Sequence, residues 1–271
     1  MLTRRSFLTS AAAAGVFFIP ATRLFGQDLK GPASQQFRFA GIGVGGMGTP
    51  TCEELIAAGG TIVALCDVDP RRLAEFAKDH PGIPTFTDYR VLFDKCSDTF
   101  DGVAISTPDH THAIIALEAM RRGKAVYVQK PLARTFEECQ LLMEEQARTG
   151  VVVQMGNQGH PGVLRYGELL KDNAWGEVLE LEGWSDRPIW PQGMTGYPSA
   201  EPVPAGLDWD LWTGPSPLHA YSRKIHPFNW RGFWDYGCGA IGDMAIHNVD
   251  PAFWSFKLGL PTSVSATAIA D

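Results

Sequence analysis

A glycine-rich segment has the spacing of a loop that binds phosphate groups. Residues 40–48 read AGIGVGGMG and contain Gly-x-Gly-x-x-Gly in two registers, one starting at Gly41 and the other at Gly43. We favour the second register, because it leaves a longer strand before the turn. Such glycines permit a tight turn and let a pyrophosphate approach the backbone at a helix N-terminus. The loop residues predicted to bind a dinucleotide are Gly43, Gly45, Gly46, Met47 and Gly48.

A carboxylate follows where a dinucleotide-binding domain holds a ribose. Asp67 lies at the end of the next apolar run, and an acid there accepts hydrogen bonds from ribose hydroxyls. It favours NAD over NADP, because a carboxylate repels a 2′-phosphate. Arg71 and Arg72 follow closely and keep NADP open as the alternative, although both arginines also suit a solvated helix face.

Further polar residues stand where later apolar runs end. Because the carboxyl ends of parallel strands meet at one edge of a sheet, we expect these residues near the cofactor. His112 opens the next helix, where a structural cap is as good an interpretation as a cofactor contact. The predicted cofactor contacts of this group are Thr107, Pro108, His112, Gln129, Lys130 and Asn157.

A glycine-rich turn at residues 237–242 leads into Asp243 and His247, which are four residues apart. On a helix they share one face, and a histidine can accept a hydroxyl proton near neutral pH. Taken alone, such a pair is more simply a surface ion pair.

Before the turn, residues 226–236 read HPFNWRGFWDY. Trp230 is predicted to offer a flat face to a sugar, and Arg231 or His226 to bind its hydroxyls.

The elements that must position these residues alternate regularly from Phe37. Apolar strands are predicted at residues 37–43, 61–68, 101–107, 125–129 and 151–155, with helices between them. Such alternation predicts an α/β fold, with a Rossmann-type parallel sheet over residues 35–156. Residues 157–271 are expected to form an α/β domain with an open, mainly antiparallel sheet. This domain includes strands at 176–186 and 262–270 and a helix at 243–258. We expect it to be incomplete, because the last strand has no successor to pair with.

The composition of the 271-residue chain excludes several classes of protein. It is 45% hydrophobic, so it can bury a core, and its formal net charge of −7 disfavours capture of nucleic acid. The five cysteines are scattered and indicate neither a disulfide framework nor a metal site. Phe233, Trp234 and Trp254 are expected in the core.

The first residues resemble an export signal. Arg4 and Arg5 precede Ser-Phe-Leu and an apolar run over residues 11–19 that is too short to span a bilayer. We interpret residues 1–30 as a twin-arginine-type signal and linker, which predicts a periplasmic protein with no other membrane association. An amphipathic helix or an uncleaved anchor is the alternative.

Four motifs in one order carry a family resemblance: the glycine loop, residues 106–112 (STPDHTH), 129–133 (QKPLA) and 237–247 (GCGAIGDMAIH). Together they resemble the Gfo/Idh/MocA family, named for glucose-fructose oxidoreductase, inositol dehydrogenase and a rhizopine-catabolism protein. The resemblance implies reversible oxidation of a sugar or cyclitol hydroxyl with NAD. It implies that Lys130 bridges cofactor and substrate, and that Asp243 and His247 line the reacting hydroxyl, with His247 as general base. Gln129 departs from the family, in which glutamate is usual.

Three functions remain open at this stage. The leading one is an NAD-dependent oxidoreductase acting on a sugar, glycoside or cyclitol. The second is a redox-neutral, NAD-dependent glycoside hydrolase or lyase that oxidises a hydroxyl transiently, and the third is a dinucleotide-binding module without catalysis. Export in the folded state, into a compartment where free NAD is scarce, predicts a tightly held cofactor. A homo-oligomer is expected.

Overall fold

The computed structural model describes residues 36–158, 167–170, 172, 174, 176–194 and 196–267. The predicted signal therefore lies outside the described residues. Within residues 36–158, six parallel strands form one sheet in the spatial order β3-β2-β1-β4-β5-β6. This order reverses between β1 and β4, where open α/β sheets bind their ligands, and it confirms the predicted Rossmann-type sheet. The strands are β1 (Arg38–Ile42), β2 (Thr61–Cys66), β3 (Thr85–Phe86), β4 (Gly102–Ile105), β5 (Ala125–Gln129) and β6 (Val153–Gly156).

Helices connect the strands and cover both faces of the sheet. Their boundaries follow from local sequence. Asp69 accepts a hydrogen bond from the Arg71 backbone at the start of α2, and Thr135 forms a capping box with Glu138 at the start of α5. Gly150, with φ of 69°, ends α5. The helices are α1 (Gly48–Ala57), α2 (Pro70–Phe76), α3 (Tyr89–Cys96), α4 (Asp109–Arg121) and α5 (Phe136–Thr149).

The core of this domain lies on the two faces of the sheet. All four residues of β4 are buried, as expected for a central parallel strand. On one face the strands pack against α4 and α3, and on the other against α1 and α2. This packing fixes the carboxyl edge of the sheet, from which Thr107, Gln129 and Lys130 project.

The later described residues pack on that carboxyl edge. They include α6 (Trp209–Thr213), a 3-10 turn (Asn229–Gly232), α7 (Gly239–Asn248) and α8 (Asp250–Phe256). An aromatic cluster joins this part to the Rossmann domain, since Val68 packs against it and the Asp208 backbone N–H donates to Val68 O over 3.1 Å. The members of the aromatic cluster are Leu207, Trp209, Trp212, Tyr221, Ile225, Trp230, Phe233 and Tyr236.

The structure corrects several predicted elements of this second part. Residues 176–186 form no strand, and no strand of the described residues pairs with their backbone. Instead Trp184 O accepts a hydrogen bond from the Asn248 side chain. The predicted strand at 262–270 is likewise absent over 262–267, while 268–270 lie outside the described residues. The described residues beyond β6 thus contain no strand, and the expected antiparallel sheet is not confirmed.

The helix predicted at 243–258 is two helices, α7 and α8, and α7 begins earlier, at Gly239. Pro251 explains the break, since its ring cannot fit beside the carbonyl four residues earlier in a continuous helix. The predictions also missed β3 and α3. No helix among the described residues is long and apolar enough to cross a membrane.

Candidate cofactor and substrate site

The glycine loop connects β1 to α1 in a turn that leaves no room for a side chain at Gly43 or Gly48. Gly43 has φ of +76°, and a Cβ there would lie 2.8 Å from the backbone of Ser106. A Cβ on Gly48 would lie 2.0 Å from Gly43 O. A Cβ on Gly45 would meet only the flexible side chain of Arg72, at 3.2 Å. A Cβ on Gly41, in the other register, would also be crowded, 2.9 Å from Cys52 Sγ, so the choice between the two registers stays a prediction.

Asp67 fastens this loop to the end of β2. Its carboxylate accepts the backbone N–H groups of Val44 and Asp69, both over 2.9 Å. Burial raises the pKa of the Asp67 carboxyl group, and these hydrogen bonds oppose the shift. Sequence reasoning assigned Asp67 only to the ribose. In the structure it also shapes the loop that would hold the pyrophosphate.

The two arginines that left NADP open have different surroundings. Arg71 forms an ion pair with Asp69, with Nη2 2.7 Å from Oδ2, so a neighbouring carboxylate already compensates its charge. Arg72 lies over Gly45 and its Nη1 is 3.5 Å from Glu75 Oε2. Each guanidinium thus already contacts a carboxylate of the protein, and neither contact indicates a site for a 2′-phosphate.

Two buried hydroxyl groups lie beside the loop without a hydrogen-bond partner among the described residues. These groups are Ser106 Oγ and Thr107 Oγ1. Both follow β4, at the switch point of the sheet, and Ser106 packs against Gly43 and Gly48. Buried hydroxyls are normally hydrogen-bonded. Together with a loop that only glycine fits, they suit a dinucleotide, whose phosphates and ribose hydroxyls would satisfy them.

Lys130 and Asp243 meet at the carboxyl edge of the sheet. Lys130 Nζ lies 2.7 Å from Asp243 Oδ1 and 3.1 Å from Asp243 O, and both side chains are largely buried. Arg231 joins them, with Nε 3.4 Å from the same Oδ1. Lys130 follows β5, Arg231 lies in the 3-10 turn and Asp243 lies in α7. The structure therefore brings together three predicted site residues that are distant in sequence.

His247 lies one turn beyond Asp243 on α7 and is half-buried. The helical spacing places both side chains on the same face of α7. The role of His247 as general base stays a prediction.

Gln129 is held by the protein at both ends of its amide. Its Nε2 donates to Thr51 Oγ1 over 2.9 Å, and its Oε1 accepts a short hydrogen bond from Gln158 Nε2. Thr51 belongs to α1, so this buried amide links β5 to the helix that follows the glycine loop. Sequence reasoning did not identify Thr51. Asn157, which follows β6, is half-buried at the same edge.

His112 is engaged by backbone carbonyls. Its ring nitrogens lie 2.8 Å from Thr107 O and 2.8 Å from Pro131 O, and the ring is buried. This corrects the predicted cofactor contact of His112, because neither ring nitrogen is left for a ligand. The side chain instead ties the loop after β4 to the loop that carries Lys130. Pro108 serves as N-cap residue of α4.

The structure corrects two predicted substrate contacts. His226 packs against Trp209, Trp212 and Tyr221, and burial lowers its pKa to about 4. The charges that act on it are those of Asp69, Arg71 and Arg72, which follow β2. Trp230 is 6% exposed and its ring is covered by the Arg231 guanidinium, so it offers no open face to a sugar.

Of the three aromatic residues assigned to the core, only Phe233 is buried. Trp234 is 84% exposed and Trp254 is 67% exposed, and neither belongs to the aromatic cluster. Among the described residues, no group of three His, Cys, Asp or Glu side chains is placed to hold a metal ion.

The fold and the site define a dinucleotide-binding α/β protein with a cationic, partly buried site at the carboxyl edge of its sheet. Residues 37–157 match the Gfo/Idh/MocA oxidoreductase-family model for an NAD-binding Rossmann fold. Residues 177–267 match the model for the C-terminal α/β domain of the same family. The chain belongs to the Gfo/Idh/MocA family of oxidoreductases, and its first domain is an NAD-binding Rossmann domain.

Several curated proteins are similar to this chain. Inositol 2-dehydrogenase of Rubrobacter xylanophilus is 31% identical over 156 residues, which are 56% of this chain and 44% of that protein. Levoglucosan dehydrogenase of Pseudarthrobacter phenanthrenivorans is 26% identical over 69% of this chain and 40% of its own length. A glycosyl hydrolase family 109 protein of Shewanella pealeana is 30% identical over 67% of this chain and 45% of its own length. The matched stretch thus spans less than half of each relative.

Proposed function

We propose that this chain carries the cofactor and reaction site of an NAD-dependent oxidoreductase that acts on a hydroxyl of a sugar, glycoside or cyclitol. The observation that carries the proposal is the buried ion pair between Lys130 and Asp243, which stands at the same sheet edge as the glycine loop. The names of the relatives support the substrate class, since two of them are dehydrogenases of a cyclitol and of an anhydrosugar.

Each residue of the site has a distinct task. Bound NAD would supply a hydride acceptor for the carbon that bears the reacting hydroxyl. Lys130 donates a hydrogen bond to the hydroxyl oxygen and stabilises the negative charge that develops there. Asp243 holds the ammonium group in place through its 2.7 Å contact. His247 takes the hydroxyl proton as general base.

Steady-state kinetics of variants test this proposal. NADH formation is followed with myo-inositol, hexoses and methyl glycosides, using the chain, Lys130→Met and His247→Gln. We expect kcat to fall roughly 100-fold to 1000-fold in each variant, because each removes a group that acts in the transition state. The dissociation constant of NAD should change less than about threefold in His247→Gln, which lies on α7. Turnover that survives the combined substitution would contradict these roles of Lys130 and His247, whereas a chain that binds NAD but turns over none of these probes would favour a binding module without catalysis.

A redox-neutral hydrolase or lyase is the second candidate. The similarity to a glycosyl hydrolase family 109 protein over 67% of this chain favours it. Such an enzyme would use the same residues, but its cofactor would return to the starting state in each cycle. Release of nitrophenol from nitrophenyl glycosides, with no net formation of NADH, would establish this candidate and contradict the simple dehydrogenase.

We also propose that the protein is exported to the periplasm with NAD already bound. Arg4 and Arg5 and the short apolar run after them support this proposal. A cofactor carried out of the cytoplasm must be held tightly, because it cannot be replaced outside. Fractionation of cells and mass spectrometry of small molecules released from native protein test both parts. A cytoplasmic protein, or a periplasmic one purified without dinucleotide, would contradict the proposal.

A further inference from the structure

The Arg231 guanidinium is held rigidly beside the reaction site. Its central carbon lies 4.3 Å from the ring centroid of Trp230, 4.8 Å from that of Phe228 and 5.8 Å from that of Trp190. Its Nη1 donates to Phe228 O over 3.1 Å, and its Nε faces Asp243 Oδ1 at 3.4 Å. A guanidinium fixed in this way loses little conformational entropy when it binds a further partner.

Two cationic side chains contact one carboxylate oxygen at this point. Lys130 and Arg231 share one oxygen of Asp243, and Gln129, which precedes the lysine, is a neutral amide held by Thr51 and Gln158. Asp109 provides a second carboxyl group nearby. It is buried and accepts a hydrogen bond from the Cys238 backbone N–H, and burial raises its pKa. Oxidised nicotinamide is itself cationic. Because Lys130 and Arg231 share a single carboxylate oxygen, and bound NAD would add the positive charge of its nicotinamide, the site favours a further anion.

Two hydrogen-bond donors, one on Trp190 and one on Arg231, have no acceptor among the described residues. Trp190 is buried, and its Nε1 has no acceptor among the described residues, although a buried indole N–H usually finds one. Trp190 packs its ring on Arg231, whose Nη2 also makes no hydrogen bond to a described residue. An acceptor with two oxygens matches the fork of a guanidinium, and a carboxylate is such a group.

We propose that Arg231 binds a carboxylate of the substrate, so that the preferred substrate of the site is a sugar acid, such as a uronic acid or its glycoside. This inference rests on the proposed oxidoreductase function and names its substrate class. Arg231 is then a specificity-determining residue, which orients the sugar ring so that the reacting hydroxyl faces Lys130.

Two probes that differ only at C6 test the inference: methyl α-D-glucopyranosiduronate and methyl α-D-glucopyranoside. We expect the chain to favour the uronate roughly tenfold to hundredfold in kcat/KM, which is the size of a charge-assisted hydrogen-bond pair. In Arg231→Gln this preference should fall to about one, chiefly through KM for the uronate, and in Arg231→Lys it should be partly retained. Arg223→Gln is the matched control, because Arg223 is an exposed arginine of the same part and pairs with Glu201. It should keep the preference.

The outcomes separate the inference from the function on which it rests. Equal kcat/KM for the two probes, or a preference that survives in Arg231→Gln, would overturn the inference while leaving the oxidoreductase intact. Failure of every sugar, cyclitol and glycoside to reduce bound NAD would overturn the proposed function. Calorimetric titration of each variant with the uronate supplies a second measurement, since loss of binding in folded Arg231→Gln supports the inference without turnover. Unchanged uronate affinity in that variant would refute it.

Discussion

We expect acidification to destabilise the fold through the buried ring of His110. This ring lies in the first turn of α4, with Nε2 2.8 Å from Trp212 O and Nδ1 3.2 Å from Tyr236 O. It is 1% exposed, and this burial lowers its pKa from 6.5 to about 4 in spite of the two carbonyl contacts. The ring is therefore neutral in the folded protein over a pH range in which the unfolded chain would bind a proton.

The sign and size of the effect follow from proton linkage. The unfolded chain binds the proton more tightly than the folded protein does. The free energy of unfolding therefore decreases as the pH drops below 6.5, and the contribution of His110 to this decrease ends near pH 4. The contribution of His110 to the free energy of unfolding should shrink by about 2 kcal/mol between pH 7.5 and pH 5, and by about 3 kcal/mol at pH 4.

Urea unfolding of the chain and of His110→Gln at pH 7.5 and pH 5 measures this term. The difference in unfolding free energy between the two proteins should change by about 2 kcal/mol between the two pH values, and carboxylates that titrate in both should cancel. His80→Gln is the control, because His80 lies at the surface beside Glu53. A difference independent of pH, or an equal change in the control, would refute the assignment of the effect to burial of His110.

For three further substitutions we predict the direction in which NAD affinity or stability changes. Gly48→Ala places a Cβ 2.0 Å from Gly43 O, so the loop must move, and the dissociation constant of NAD measured by calorimetry should rise at least about tenfold. Asp67→Asn turns an amide N–H toward a backbone N–H, so we expect about 1–3 kcal/mol lower stability in urea together with weaker NAD binding. Thr135→Ala removes the capping box of α5 and should cost about 1 kcal/mol of stability in thermal unfolding, with NAD affinity unchanged. Full stability in Asp67→Asn, or weaker NAD binding in Thr135→Ala, would contradict these assignments.

The Rossmann domain was predictable because its signals are local. Apolar runs mark β1, β2 and β4 to β6, and capping residues such as Asp69 and Thr135 mark helix starts. The edge strand β3 was missed because it has two residues, of which Thr85 is exposed, so it leaves no apolar run. Pro251 is a sequence signal for the division between α7 and α8, but the prediction followed the hydrophobic pattern and ignored this proline.

The candidate site was only partly predictable, because its geometry depends on contacts between distant residues. Motifs identified Lys130 and Asp243, whereas the contact of Arg231 with the same carboxylate has no sequence signature. An aromatic segment does not show which of its rings are buried. The pattern therefore assigned Trp230 to the substrate and Trp234 to the core, the reverse of their burial.

The meeting of Lys130 with Asp243 depends on how α7 is attached to the Rossmann domain. Asp109 Oδ2 accepts the Cys238 backbone N–H over 3.2 Å, directly before α7 begins, and the neighbouring His110 backbone N–H donates to Tyr236 O over 3.3 Å. The first turn of α4 thus sets the position of Asp243, while the glycine loop is built separately on β1 and β2. Because Asp109 contacts the residue before α7, whereas Asp67 holds the glycine loop, Asp109→Ala should displace Asp243 from Lys130 and lower turnover, and the affinity for NAD should change much less. Different contacts of the fold thus position the residues that bind the cofactor and the residues that act on the substrate.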